Sequence, residues 1–391
     1  DTVLAAAVVA LMGFGLVMVY SASAFDAAVR FGDAQHYLRR QGAYGVGGLV
    51  VMWLASRFDY RRLRSLTYPM LLVTVGMLVA TVAGLGHRAG NAYRWLTVGP
   101  VHVQPSEVAK VVLVMWLAYS LSKKGELVKK FLSGYAPHFV VVGMLMVLCL
   151  KQPDFGSAVV LFTLTVFMLF VAGARIPHLF ITGTLFTGAG VALIRLSAYR
   201  YGRILAWFNM EEHRQGLAYQ PFQSVMSFGS GGVTGLGLGK GLQVLYLPDA
   251  HTDFIGAIIG EELGFVGVAA MCGLYTVVIA RGVKIAFEAS DDYGSYIAFG
   301  LSALLSIQVL LNLAVATAIL PTKGLTLPFV SYGGSSLMVS AGAIGILLSI
   351  SRRRRPKKRV KNECIDDDEP LPSATAVVAT SAAEPTEEAA S

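Results

Sequence analysis

The stretch 247–262 carries Asp249, Asp253, Glu261 and Glu262 into a long apolar run with no Lys or Arg among them. A carboxylate at the mouth of a membrane helix is costly to desolvate, which marks it by default as a functional site. Such a group can act as a base, ligate a metal or relay a proton. Other charges fall at the borders of apolar segments. Glu107 and Lys110 are three residues apart and share one helix face. Asp154 interrupts two apolar blocks in Lys151-Gln-Pro-Asp-Phe-Gly156. Arg200 and Arg203 lie among the aromatics Tyr199, Tyr201 and Trp207, and guanidinium groups suit phosphate oxygens through paired hydrogen bonds.

The elements that must position these groups are membrane helices. The chain is 55% apolar and only 14% charged, with a mean hydropathy of +0.61. Ten apolar blocks are legible, at roughly 3–22, 41–56, 66–84, 106–122, 136–150, 156–173, 177–194, 254–280, 297–320 and 333–350. Most can cross a hydrocarbon layer of about 30 Å at about 1.5 Å per residue. No ten-residue alternation suggests a membrane barrel. The expected fold is an all-α polytopic membrane protein of about ten spans, with 1–350 as its transmembrane domain. Residues 195–253 form a long loop between spans seven and eight, too long to be a mere connector. Residues 351–391 read as a disordered tail, basic from Arg352 and then acidic.

The net charge of +8 reads as a topology signal, and no nucleic-acid partner is expected. With ten spans both termini share a side. The short loops on that side, with Arg57, Arg61, Lys123, Lys129 and Arg281, carry more basic residues than those opposite. By the positive-inside rule both termini are cytoplasmic and Asp253 faces outward. Block 3–22 is expected to stay as a span, since cleaving it would leave an odd number. Cys149, Cys272 and Cys364 offer no outer pair for a disulfide.

Each charged residue also has a plain structural reading. Asp154 can cap a helix after Pro153, and Asp253 or Thr252 can cap the eighth span. Glu107 and Lys110 can be a local ion pair that makes a buried Lys tolerable. Capping, however, explains one acid and not the group Asp249, His251 and Asp253. Gly256, Gly260 and Gly264 recur every four residues, as at a close helix–helix contact. Glu261 and Glu262 lie about 12 Å deeper and need partners that the sequence does not name. The glycine run 229–239 can bring backbone close to a ligand, but no Gly-Lys-Ser/Thr follows it, so it is not a P-loop.

Four segments together resemble the SEDS family (shape, elongation, division and sporulation) of polytopic peptidoglycan polymerases. They are Gln104-Pro-Ser-Glu-Val-Ala-Lys110, Gln152-Pro-Asp-Phe-Gly156, Leu247-Pro-Asp-Ala-His-Thr-Asp-Phe254 with Gly260-Glu-Glu-Leu-Gly264, and Pro321-Thr-Lys-Gly-Leu-Thr-Leu-Pro-Phe-Val-Ser-Tyr-Gly-Gly-Ser-Ser336. The last is more similar to the cell-division, FtsW-like branch than to the elongation branch. Ala218 and Met210 stand where the family usually has Gly and Pro, away from any charged position.

The resemblance implies polymerisation of lipid II outside the cytoplasmic membrane, at the division septum, with release of undecaprenyl pyrophosphate. It implies Asp253 as general base or metal-assisted carboxylate, with Glu107 and Lys110 as the family's fourth-span pair. Arg200 and Arg203 are candidates for the pyrophosphate by charge and loop position. Asp154, His251, Lys323 and Ser335 are further substrate-binding candidates. A Mg²⁺ or Mn²⁺ ion at Asp253 is compatible with this chemistry, the sequence offers no self-contained metal cage, and no organic cofactor is expected. The implied partners are a class B penicillin-binding transpeptidase (FtsI-like) and other divisome membrane proteins. A lipid II flippase and a non-catalytic division scaffold are the alternatives.

Overall fold

The computed structural model describes residues 1–89, 92–99 and 101–353, so the tail expected beyond Ser351 lies almost wholly outside the described residues. Ten long helices form where apolar blocks stand in the sequence: α1 (Thr2–Phe31), α2 (His36–Arg57), α3 (Leu63–Val82), α4 (Pro105–Lys124), α5 (Ala136–Lys151), α6 (Phe155–Val171), α7 (Ile176–Arg195), α10 (Ile255–Glu288), α11 (Asp292–Ala316) and α12 (Gly334–Arg352). Between α7 and α10 lie two more, α8 (Ala198–Phe208) and α9 (Tyr219–Gly231). The chain is a multi-pass membrane protein.

Seven of the ten are long and apolar enough to cross a membrane by length and composition alone. The three that fall short have visible reasons. Helix α6 has 17 residues. Helix α2 carries Arg39, Arg40 and Arg57, and α4 carries Glu107, Lys110, Lys123 and Lys124. Large apolar side chains such as Leu72, Phe180, Phe265 and Phe287 are at least 70% exposed. That pattern suits a lipid-facing surface and not a water-facing one. Inside the helices, hydroxyls of Ser23, Thr67, Thr74, Thr165 and Ser302 donate to carbonyls four residues back, so these polar groups are satisfied without an outside partner.

One small sheet departs from the all-α expectation. The α3–α4 connection folds as an antiparallel meander of β1 (His87–Ala89), β2 (Ala92–Val98) and β3 (Val101–Val103). Two strands have three residues, and the seven of β2, Ala-Tyr-Arg-Trp-Leu-Thr-Val, do not alternate strictly, so the sequence pattern does not mark the sheet. At the opposite end of the bundle, Tyr60 donates to Asp291, Arg353 pairs with Asp59, and Ser349 donates to the Phe58 carbonyl.

The segment 195–253 is not a surface loop throughout. Helix α9 packs along α10, and the glycine run that follows is threaded beside the α10 backbone. A Cβ on Gly231 would overlap the Gly260 carbonyl oxygen, and one on Gly235 would overlap that of Glu262. Leu236 and Gly237 donate their N–H groups to the Glu261 and Glu262 carbonyls. Helix α10 breaks here: Gly264 has φ 65°, and the N–H groups of Phe265 and Val266 turn to the carbonyls of Gly232 and Val233. Irregular backbone at membrane depth is tolerated only where protein satisfies it, and each strand of this exchange satisfies the other. The glycines therefore admit the backbone of α10, not a ligand.

The buried acids deepen the anchor. Glu261 accepts from the backbone N–H groups of Leu242 and Gln243 at 2.8 and 3.1 Å. Ser21 of α1 donates to Glu262 at 2.6 Å and accepts from Gly239 N–H at 3.1 Å. These are the partners that the two acids require. We expect Gly235→Ala, at φ 78° against a backbone wall, to cost about 1–3 kcal/mol. Thermal unfolding in detergent would measure it, and an unchanged Tm would refute this packing.

Candidate active site

Three elements distant in sequence meet around Asp253: the turn before α10, the N-terminus of α6 and the α11–α12 connection. The turn is closed by the N–H groups of Thr252 and Asp253 on the Asp249 carbonyl, with Asp249 at φ 57°. Asp253 caps nothing. Phe254 occupies the N-cap of α10, without a side-chain cap bond, and no described side chain or backbone group donates to the Asp253 carboxylate. Its carboxylate faces Gly324, where a Cβ would stand 3.1 Å from Oδ2. The main chain is pinned instead: Asn312 Nδ2 donates to the Asp253 carbonyl at 3.0 Å and to the Leu325 carbonyl at 2.6 Å.

Burial pushes the Asp253 carboxyl up to about 7, and the neighbouring charges of Asp249 and Asp154 add to it, against Arg94. Arg94 is not among the residues that the sequence singles out. It comes from β2, and its Nε and Nη2 donate to the carbonyls of Gln152 and Pro153 at 2.9 and 2.7 Å, which fixes the guanidinium at the α6 N-terminus. Lys323 stands next to Gly324, with its ammonium 4.6 Å from the centre of the Phe155 ring. Burial lowers its pKa below the ordinary Lys value. Arg94 is thus the cation whose charge acts on Asp253, which has no hydrogen-bond donor among the described residues, while Lys323 follows the same connection one residue from Gly324.

Asp154 follows its plain reading. Oδ1 accepts from Ser157 N–H at 2.9 Å and Oδ2 from Ser157 Oγ at 2.7 Å, capping α6. Its charge still reaches Asp253. Glu107 and Lys110 form an ion pair at 2.7 Å, with side chains 9% and 1% exposed. They line a small pocket with Gln308, Phe329 and Ser340. The second Glu107 oxygen is 3.4 Å from Ser336 Oγ, which in turn is bonded by Thr326 at 3.1 Å. The pair is tied through these hydroxyls to the connection that carries Lys323 and Gly324. Ser335 Oγ is buried without a hydrogen-bond partner among the described residues.

Other candidates lie apart. The His251 ring packs between Tyr37 at 4.6 Å and Tyr332 at 5.6 Å, and burial lowers its pKa. Arg200 donates to the Leu193 carbonyl at 3.4 Å, and Arg203 stacks over Tyr199 at 5.1 Å. No described contact joins either arginine to Asp253, Glu107 or Lys110. Helix α8 meets the site end through Trp207, whose Nε1 donates to the Ala318 carbonyl at 2.7 Å.

The family described as cell cycle protein, FtsW/RodA/SpoVE, matches residues 2–356. The chain belongs to this family. It is 44% identical over 90% of its length, and 93% of the relative's, to a probable peptidoglycan glycosyltransferase FtsW of Trichlorobacter lovleyi. It is 37% identical over 91% of its length, and 98% of the relative's, to the stage V sporulation protein E of Bacillus subtilis. Two solved structures share the fold. One is a chain from the structural coordination of polymerization and crosslinking by a peptidoglycan synthase complex, with TM-score 0.75, 30% identity, and coverage of 90% of this chain and 97% of that one. The other is the rod shape determining protein RodA of Thermus thermophilus, with TM-score 0.68, 29% identity, and coverage of 91% and 98%. The FtsW/RodA/SpoVE assignment agrees with the charged motifs, since all four segments that carry the resemblance supply residues to the site or to its anchor.

Proposed function

We propose that the chain is a peptidoglycan glycosyltransferase that polymerises lipid II, with Asp253 as its general base. The observation that carries the role of Asp253 is a half-buried carboxylate that caps no helix and accepts no hydrogen bond from the described residues. A base of pKa about 7 is ionised in useful fraction near neutral pH and still strong enough to take a proton. In the proposed step, the 4-hydroxyl of one disaccharide loses its proton to Asp253 as its oxygen bonds the anomeric carbon of another. The bond from that carbon to the phosphate oxygen breaks, and undecaprenyl pyrophosphate leaves with the electron pair. Asp253 then returns its proton to solvent.

Arg94 and Lys323 are the cations best placed by their contacts to offset the charge of the departing pyrophosphate. Arg94 keeps Nη1 free of any bond to the described residues after its two carbonyl bonds. Arg200 and Arg203 remain candidates for substrate outside this core. Among the described residues, no group of three or more His, Cys, Asp or Glu is arranged to hold a metal. A Mg²⁺ or Mn²⁺ ion would therefore rest on Asp253 and substrate phosphates, since Asp154 has both oxygens committed to Ser157. When bound, such an ion supplies positive charge at the pyrophosphate. The charge asymmetry of the loops supports an outward-facing site with both termini cytoplasmic. Work of a relative in a peptidoglycan synthase complex that couples polymerization and crosslinking supports a crosslinking transpeptidase partner, of class B penicillin-binding type.

The test is polymerisation of labelled lipid II by purified protein together with such a transpeptidase. Glycan strands are the expected product, and movement of lipid II across vesicles without any polymer would favour the flippase reading instead. Over pH 5–9, kcat/KM should fall about tenfold per unit below pH 7 as Asp253 takes up its proton. A flat profile down to pH 5 would remove Asp253 from the base role.

A further inference from the structure

We infer that Asn312 is a positioning residue for this reaction, a clamp that holds the Asp253 turn against the α11–α12 connection carrying Lys323 and Gly324. The inference rests on Asp253 being the catalytic carboxylate. Asn312 lies in α11, 1% exposed, and its single amide nitrogen donates both hydrogens across a gap between two chain segments. One goes to the carbonyl of Asp253 itself and the other to the carbonyl of Leu325. The two acceptors also fix which end of the amide is nitrogen, because the reverse orientation would set oxygen against two carbonyl oxygens.

The opposite end of this side chain strengthens the assignment. Asn312 Oδ1 is buried with no hydrogen-bond partner among the described residues. A buried, unpaired amide oxygen is unfavourable, and an apolar residue of similar shape would avoid it. No other described group donates to either acceptor. The Leu325 carbonyl lies in an irregular connection, and the Asp253 carbonyl precedes α10. What the amide alone provides is a fixed spacing between them. That spacing sets Asp253 Oδ2 against Gly324 and puts Lys323 one residue away.

The end of α11 is itself held by the α8–α9 region, through Trp207 on the Ala318 carbonyl and Ser224 on the Ala316 carbonyl. Those bonds attach the same helix end without touching Asp253 or Leu325. Ser224 is therefore a matched control: a buried donor to a carbonyl one turn further along α11.

The experiment compares Asn312→Leu, Ser224→Ala and Asp253→Asn in lipid II polymerisation, with Tm measured for each and assays run well below it. Asn312→Leu should lower kcat about 10- to 100-fold with KM for lipid II within twofold, as misplacement of a base does. Ser224→Ala should lower Tm and leave kcat within twofold. An independent reading uses Asp253→Cys with Gly324→Cys in a background lacking the native cysteines. Oxidative cross-linking of that pair should slow at least fivefold when Asn312→Leu is added. Full kcat in Asn312→Leu beside an inactive Asp253→Asn would overturn the clamp alone. Full activity in Asp253→Asn would overturn the base assignment and the clamp with it. A kcat loss no larger than that of Ser224→Ala, or an unchanged cross-linking rate, would leave Asn312 as packing only.

Discussion

Asp253→Asn should abolish lipid II polymerisation, by about 10²- to 10⁴-fold, while the protein stays at least as stable as wild type above pH 7. The two halves of this result follow from one fact. In the folded chain burial holds the Asp253 carboxyl near 7, against an ordinary 3.8. Between those values the native state keeps a proton that the unfolded chain has lost. Its contribution to stability is fully present below pH 3.8 and is lost as pH rises through 7. By pH 8 the half-buried charge costs a few kcal/mol relative to pH 4, on the order of one per pH unit between the two values. The amide carries no charge and has no such slope. Tm of the variant should therefore gain on wild type as pH is raised from 5 to 8, in the same samples that make no glycan. Loss of activity together with a lower Tm at pH 8 would instead mark Asp253 as structural.

The site was partly legible because a charge in an apolar run is conspicuous. Glu107, Lys110 and Asp253 stand out in that way, and the structure brings Glu107 and Asp253 to the same end of the bundle through the α11–α12 connection. Asp154 was equally visible, and its plain reading as a cap is the one its contacts with Ser157 support. Arg94 was hidden because a basic residue in a polar link looks like a solvated loop charge. It became informative only when the β1–β3 meander placed it against the α6 N-terminus. Asn312 was hidden for another reason: it is uncharged, and a search for misplaced charge passes over an amide. A search for any polar side chain inside an apolar span would have found it, along with Gln308.

The ten helices were legible from hydropathy, because each long apolar run must satisfy its backbone internally. The path of 229–243 was not. Glycine spacing announces that two backbones approach closely, but not which two. Gly256, Gly260 and Gly264 answer separately: Gly256 faces Leu313 and Ala316 of α11, Gly260 faces Phe228 of α9, and Gly264 admits the chain at Val233 and Gly235. The buried Glu261 and Glu262 then have a physical reason. A chain that re-enters the bundle brings N–H groups that need acceptors, and two carboxylates on α10 together with its freed carbonyls supply them.

Lys110→Met should be among the most destabilising single changes in the chain, at about 3–5 kcal/mol, because it strands Glu107 as a buried charge. The pair sits 2.7 Å apart, and the Lys110 side chain is 1% exposed. Ser336 at 3.4 Å ties Glu107 to the connection, but one neutral hydroxyl does not compensate a full carboxylate charge. Adding Glu107→Gln to Lys110→Met removes the stranded charge and should restore most of the lost Tm. The recovery separates two roles for this pair. An ion pair that serves only to make each partner tolerable would return polymerisation along with Tm in the double variant. A pair that orients the Thr326–Ser336 hydroxyls, and with them the Lys323–Gly324 connection, would return Tm and leave glycan synthesis at least tenfold down. The geometry favours the second result, since Glu107 reaches the connection through Ser336 and the connection holds the face opposite Asp253. Equal recovery of Tm and activity would reduce Glu107 and Lys110 to a structural pair.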